Sequence, residues 1–161
     1  MDNVFNSARR PRAIFMMGGP AAGKSTVRAA RYAGLPVVDA DAVKSTHPAY
    51  DAKNPGALHA WSSEEAMRLF YAALATGADV VYDGTGATAE KYVKFISDAH
   101  AAGFDTEVCY VTCTLQTAIA RNAARERTVP VEIVREKHAL IATSFEIVSR
   151  YADRVVVVAN D

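Results

Sequence analysis

The chain alternates short, dense apolar runs with longer segments whose apolar residues recur every three or four positions. The runs "RAIFMMG", "LPVVDA", "DVVYD", "TEVCYVTC" and "RVVVVAN" have strand length and are bounded by turn residues. Between them the spacing predicts helices from Lys24 to about Tyr32, from Ser62 to about Thr76, from Ala89 to Ala101, from Leu115 to about Arg127, and from Pro130 to Tyr151. Ser62 with Glu65 three positions later reads as a capping box, Gly77 as a stop, and Pro130 as a helix start. Val134, His138, Ile141, Phe145 and Val148 trace an apolar stripe along the last helix. Pro48, Asn54, Pro55 and Gly56 break regular structure between residues 40 and 61, leaving a short helix and a loop. Continuous apolar strands alternating with helices predict a three-layer α/β fold, a five-stranded parallel sheet covered on both faces.

Length and composition change this picture little. At 161 residues and 50% apolar, the chain suits one compact domain over residues 12–161, preceded by a polar arm over residues 1–11 expected to be flexible. Lysine plus arginine balances aspartate plus glutamate at 18 each, which argues against extended nucleic-acid contacts or an anionic membrane surface. No apolar run approaches the roughly 20 residues that span a bilayer, and the N-terminus lacks a secretory core, so a cytoplasmic protein without membrane contact is expected. Cys109 and Cys113 lie four apart on a strand, roughly 13 Å, and read as buried free thiols.

The chemistry begins at "GGPAAGKS", glycine, four residues, glycine, lysine, serine, placed between a strand and a helix. Glycines let the backbone curl so that amide groups converge on phosphate oxygens, and the helix N-terminus adds its positive end. Gly18, Gly19, Ala21, Ala22 and Gly23 would form this P-loop, with Lys24 on the β and γ phosphates, Ser25 on Mg²⁺ and Thr26 towards the α phosphate. ATP and Mg²⁺ are the expected cofactors.

Carboxylates mark the ends of the next two strands. In a parallel sheet, ligands sit beyond the carboxyl ends of the strands, where "VVDADAVK" places Asp39 and Asp41. Asp41 is expected to accept the proton of an incoming hydroxyl, with Asp39 either positioning substrate and metal or capping the next helix. Asp83 ends "VVYD" and is followed by Thr85 between two glycines, where metal-bound water or substrate would approach; a plain turn is the competing reading. Lys44 and His47, beside the breaker-rich loop, are expected acceptor contacts. Arg121 and Arg125 would share a helix face, with Arg127 at its end, and the three would close over the phosphates as a lid near residues 121–130. Surface pairing with Glu126 or Glu132 is the alternative for them.

The P-loop, "DADAVKSTHPAYD" and "VVYDGTG", in that order, resemble the zeta-toxin family of small P-loop kinases. The resemblance spans about Ile14 to Arg127. It implies ATP-dependent phosphorylation of a hydroxyl, in the toxins that of UDP-N-acetylglucosamine, with Lys24 and Ser25 on ATP and Mg²⁺ and Asp41 as general base. It also implies Asp83 and Thr85 near the acceptor, Arg121 and Arg127 as lid arginines, and an antitoxin protein as partner. Two further readings stay open: a kinase of a 5′-hydroxyl or hydroxymethylated base on a short nucleic-acid end, and a nucleotide-binding regulatory module without transfer.

Overall fold

A computed structural model describes residues 9–161 except Pro20, Pro55 and Arg127. Its elements run β1 (Arg12–Met17), α1 (Lys24–Arg31), β2 (Val37–Asp39), α2 (Ala40–Lys44), α3 (His59–Thr76), β3 (Val80–Asp83), α4 (Ala89–Ala101), β4 (Asp105–Thr112), α5 (Leu115–Ala123), α6 (Val131–Val148) and β5 (Arg154–Ala159). The five strands form one parallel sheet in the order β2-β3-β1-β4-β5. The fold is thus the expected α/β sandwich, and the central position of β1 puts the glycine-rich loop in the middle of the sheet's carboxyl edge.

Side-chain alternation along the strands divides the core in two. Ala13, Phe15 and Met17 of β1, with Val80 and Tyr82 of β3 and Val108 of β4, face Phe70 of α3 and Tyr92 and Phe95 of α4. Ile14, Met16, Val81, Cys109 and Val111 face the other way, onto Val27 of α1, Ala118 of α5 and Val134 of α6. The first layer is aromatic: Phe70 lies 4.7 Å from Phe95 and 5.6 Å from Phe15 between ring centroids. Burying each such ring stabilises the fold by about 1.5–3 kcal/mol. Both cysteines are free and buried, and burial pushes their thiols up, which keeps them unreactive.

Two local expectations are revised. α3 begins at His59 rather than at Ser62, because the Ser62 hydroxyl donates back to the His59 carbonyl at 3.0 Å while Glu65 pairs with Arg68; no capping box forms. α5 stops at Ala123, four residues short of the expected end. There the buried Asn122 side chain donates to the Val129 carbonyl at 2.8 Å and accepts from the Val129 amide at 3.0 Å, which pins a turn where a further helical turn would lie. Just before β1, Arg9 pairs with Asp79, and the Pro11 carbonyl accepts from the Asp105 amide at 2.9 Å. Residues 1–8 lie outside the described residues. Among the described residues, no helix is long and apolar enough to cross a membrane.

Candidate functional site

A cleft of about 790 Å³ opens at the carboxyl edge of the sheet, large enough for a nucleotide and a small acceptor. One wall is the loop between β1 and α1. Gly23, at φ 86°, caps α1 with no side-chain hydrogen bond, so the first amides of the helix face the cleft without a protein partner from the cap. A β-carbon on Gly23 would come within 2.1 Å of the Asn160 amide nitrogen, so the position demands glycine on space as well as backbone angle. Ala21 also adopts a positive φ, 67°, in a conformation that costs a non-glycine residue energy. Two distant side chains hold it: Arg121 donates to the Ala21 carbonyl at 3.1 Å and Asn160 to the Ala22 carbonyl at 2.8 Å. Gly19, Ala21, Gly23, Lys24 and Ser25 line the cleft, whereas Gly18 and the buried Ala22 lie behind it; Gly18 donates to the Thr85 carbonyl at 3.0 Å. Thr26 is exposed on the first turn of α1, outside the lining.

The facing wall comes from β2, β3 and the turns after them. Asp39 and Asp83 are register partners across the two strands, and both point into the cleft. The side chain of Asp39 accepts from the Asp41 amide at 2.9 Å and the Ala42 amide at 3.5 Å, so it does cap α2. Burial, and then the charge of Asp83, push its carboxyl up. Asp41 follows in the first turn of α2, exposed, lining the cleft, and in no ion pair among the described residues. Asp83 is buried and is held by two cations: Arg28 hydrogen-bonds it, and Lys24 Nζ lies 3.7 Å away. Arg28 also lies 3.6 Å from Asp39. It was not among the expected site residues, although its position four after Lys24 puts it on the same face of α1. Thr85 lines the cleft, its hydroxyl accepting from the Ala87 amide at 3.2 Å. His59 and Ser63 of α3 and Lys91 of α4 complete this side.

Other expected residues sit elsewhere. Lys44 is buried at the end of α2 and His47 packs edge-on against Trp61, ring centroids 4.6 Å apart; neither lines the cleft. Arg121 grips the back of the glycine loop instead of the cleft. Arg125 does reach the lining, from the turn beyond α5 rather than from its helical face, joined by Lys137 of α6. Arg127 lies outside the described residues.

Comparison with known proteins agrees with this architecture. No curated protein sequence matches the chain significantly. A structure from the PezAT chromosomal toxin–antitoxin system of Streptococcus pneumoniae superposes with a TM-score of 0.68 at 16% identity, covering 96% of this chain and 70% of that one. The AvrRxo1-ORF1:ORF2 structure with ATP gives 0.69 at 18% identity, covering 90% of this chain and 52% of that one, so this chain spans about half its length. TT1252 from Thermus thermophilus gives 0.51 at 21% identity, covering 92% and 89%. At these identities the likeness speaks for the fold. The sequence carries it further: the zeta toxin family description matches residues 1–161, over strands, glycine loop and acidic strand ends alike, and the chain belongs to the zeta toxin family, with its phosphotransferase fold.

Proposed function

We propose that the chain transfers the γ-phosphate of ATP to the hydroxyl of a small molecule. The observation that carries the reading is that Asp41, in no ion pair among the described residues, shares one cleft with Lys24 of the glycine loop and with Asp83. The donor set fits the cofactors. Uncapped amides at the start of α1, Lys24 and Arg125 suit a polyphosphate, and the Ser25 hydroxyl, lining the same cleft as Asp39 and Asp83, suits Mg²⁺, which prefers oxygen ligands and keeps several waters. ATP would supply the phosphoryl group, and Mg²⁺ would offset charge on its oxygens.

The chain's own residues then divide the work. Gly19, Gly23 and the first amides of α1 orient the phosphates, and Lys24 offsets their charge. Asp41 takes the proton from the acceptor hydroxyl as that oxygen bonds to the γ-phosphorus and the bond to the β-phosphate oxygen breaks, releasing ADP. Asp83 and Thr85 line the path by which the acceptor enters, and Arg125 and Lys137 flank the phosphate side. A UDP-sugar is the acceptor class that family membership favours, and likeness to a toxin–antitoxin structure supports a neutralising antitoxin as partner.

The test is transfer from γ-labelled ATP to a panel of UDP-sugars, nucleosides and 5′-hydroxyl oligonucleotides, with Asp41→Asn as control. Labelled UDP-sugar is expected, and the variant should lose about 100-fold or more in turnover while binding ATP as before. Label in inorganic phosphate alone would overturn the kinase reading, and label in the oligonucleotides would move the acceptor to nucleic-acid ends.

A further inference from the structure

Asp39 and Asp83 form a like-charged pair at the carboxyl ends of adjacent strands. Such a pair is an obvious seat for a divalent cation, yet it is already neutralised from one face of α1. Arg28 hydrogen-bonds Asp83 and lies 3.6 Å from Asp39, while Lys24 lies 3.7 Å from the other oxygen of Asp83. Two carboxylates and two cations sum to zero, and Asp83 is only 9% exposed, so the interactions within the group are weakly screened. Lys24 has a second task in the glycine loop. Arg28 contacts the two carboxylates and no loop carbonyl among the described residues.

A metal ion arriving alone meets a neutral quartet and has to displace a guanidinium to reach Asp83. A triphosphate arriving at the loop draws the charge of Lys24 to itself, and the strand ends then carry net negative charge beside phosphate oxygens. We infer that Arg28 is a positioning residue that withholds the Asp39–Asp83 pair from divalent metal until nucleotide is bound, so that metal enters with the nucleotide and not before it. The inference rests on the reading of the cleft as a metal–nucleotide site.

The test is Mn²⁺ binding to the full chain without nucleotide, followed by the paramagnetic resonance of free Mn²⁺. Arg28→Met is expected to bind Mn²⁺ alone about ten-fold more tightly than the wild type, or more, since a positive charge beside the pair is gone. Arg28→Lys, which keeps the charge, should stay near the wild type, and adding Asp83→Asn to Arg28→Met should abolish the gain. With a non-hydrolysable ATP analogue present, the difference between Arg28→Met and wild type should narrow, because phosphate oxygens then supply ligands to the metal in both proteins. Should Arg28→Met not fold, Arg28→Gln carries the same comparison. An uncharged variant that folds and binds Mn²⁺ alone no more tightly than the wild type overturns the inference. Failure of the wild type to bind the analogue with Mg²⁺ overturns the nucleotide reading itself, and the two failures are distinguishable.

Discussion

Two buried carboxylates in this sheet have opposite meanings. Asp83 ends β3 and Glu107 sits early in β4; they are 9% and 4% exposed. Glu107 accepts a hydrogen bond from the Tyr32 hydroxyl and lies 3.7 Å from Arg154. Burial, and then that bond, push the Tyr32 phenol far up, so it stays a neutral donor. The pair ties the end of α1 to β4, away from any cleft lining. Asp83 has cations for partners as well, but it stands at the carboxyl end of its strand, where the cleft opens and its partners also face a ligand. On the proposed mechanism, a buried acid is thus a tie or a tool according to which end of a parallel strand carries it.

The widest separation between the two is expected from removing each charge. On the proposed mechanism Asp83→Asn should cut turnover about 100-fold or more, with a change in thermal midpoint of only a few degrees, because Arg28 retains Asp39 as a partner. Glu107→Gln should do the reverse: turnover within about two-fold of wild type, and a loss of about 1–3 kcal/mol in urea unfolding as the charged acceptor of Tyr32 disappears. Equal activity losses in the two variants would erase the distinction between tie and tool. A smaller effect is expected at the glycine loop. Asn160→Ala removes the donor to the Ala22 carbonyl and should cost about 1 kcal/mol of stability and weaken ATP binding several-fold in calorimetry.

The smallest effect concerns a carboxylate of the tie kind on the surface. Asp153 is held below the usual carboxylate range first by the Thr106 amide, which donates to it at 2.8 Å, and then by His100. A depressed acid contributes stability that is fully present above the ordinary aspartate value, about 3.9, and is lost as pH falls through the folded value. Asp153→Asn should therefore flatten the acid limb of the stability profile by less than about 1 kcal/mol, since the side chain is half exposed.

The tool was far more legible in the sequence than the tie. Strand-end carboxylates announce themselves because an apolar run stops at a charge, and "VVD" and "VVYD" both do so. The glycine loop is legible for the same reason: its function is written in contiguous residues. Tyr32 with Glu107 and Asn160 with the loop pair residues 75 and 138 positions apart, and no local pattern encodes them. Arg28 left a signal, its four-residue offset from Lys24, but that offset names a helix face and not what the face meets. The start of α3 misled because Ser-x-x-Glu describes a cap only when the chain enters the helix there, and Leu58 in a left-handed turn brings it in earlier. α5 ends earlier than its spacing predicts because the helical pattern continues past the point where Asn122 turns back onto Val129.

The double grip on the glycine loop orders events in time. The strained peptide at Ala21 is held by a side chain 100 residues downstream, and its neighbour by one 138 residues downstream. A chain emerging from the ribosome has the whole glycine loop in hand early, yet gains its first clamp only 100 residues later and its second later still. The shape of the phosphate-facing loop is therefore completed by residues made long after the loop itself.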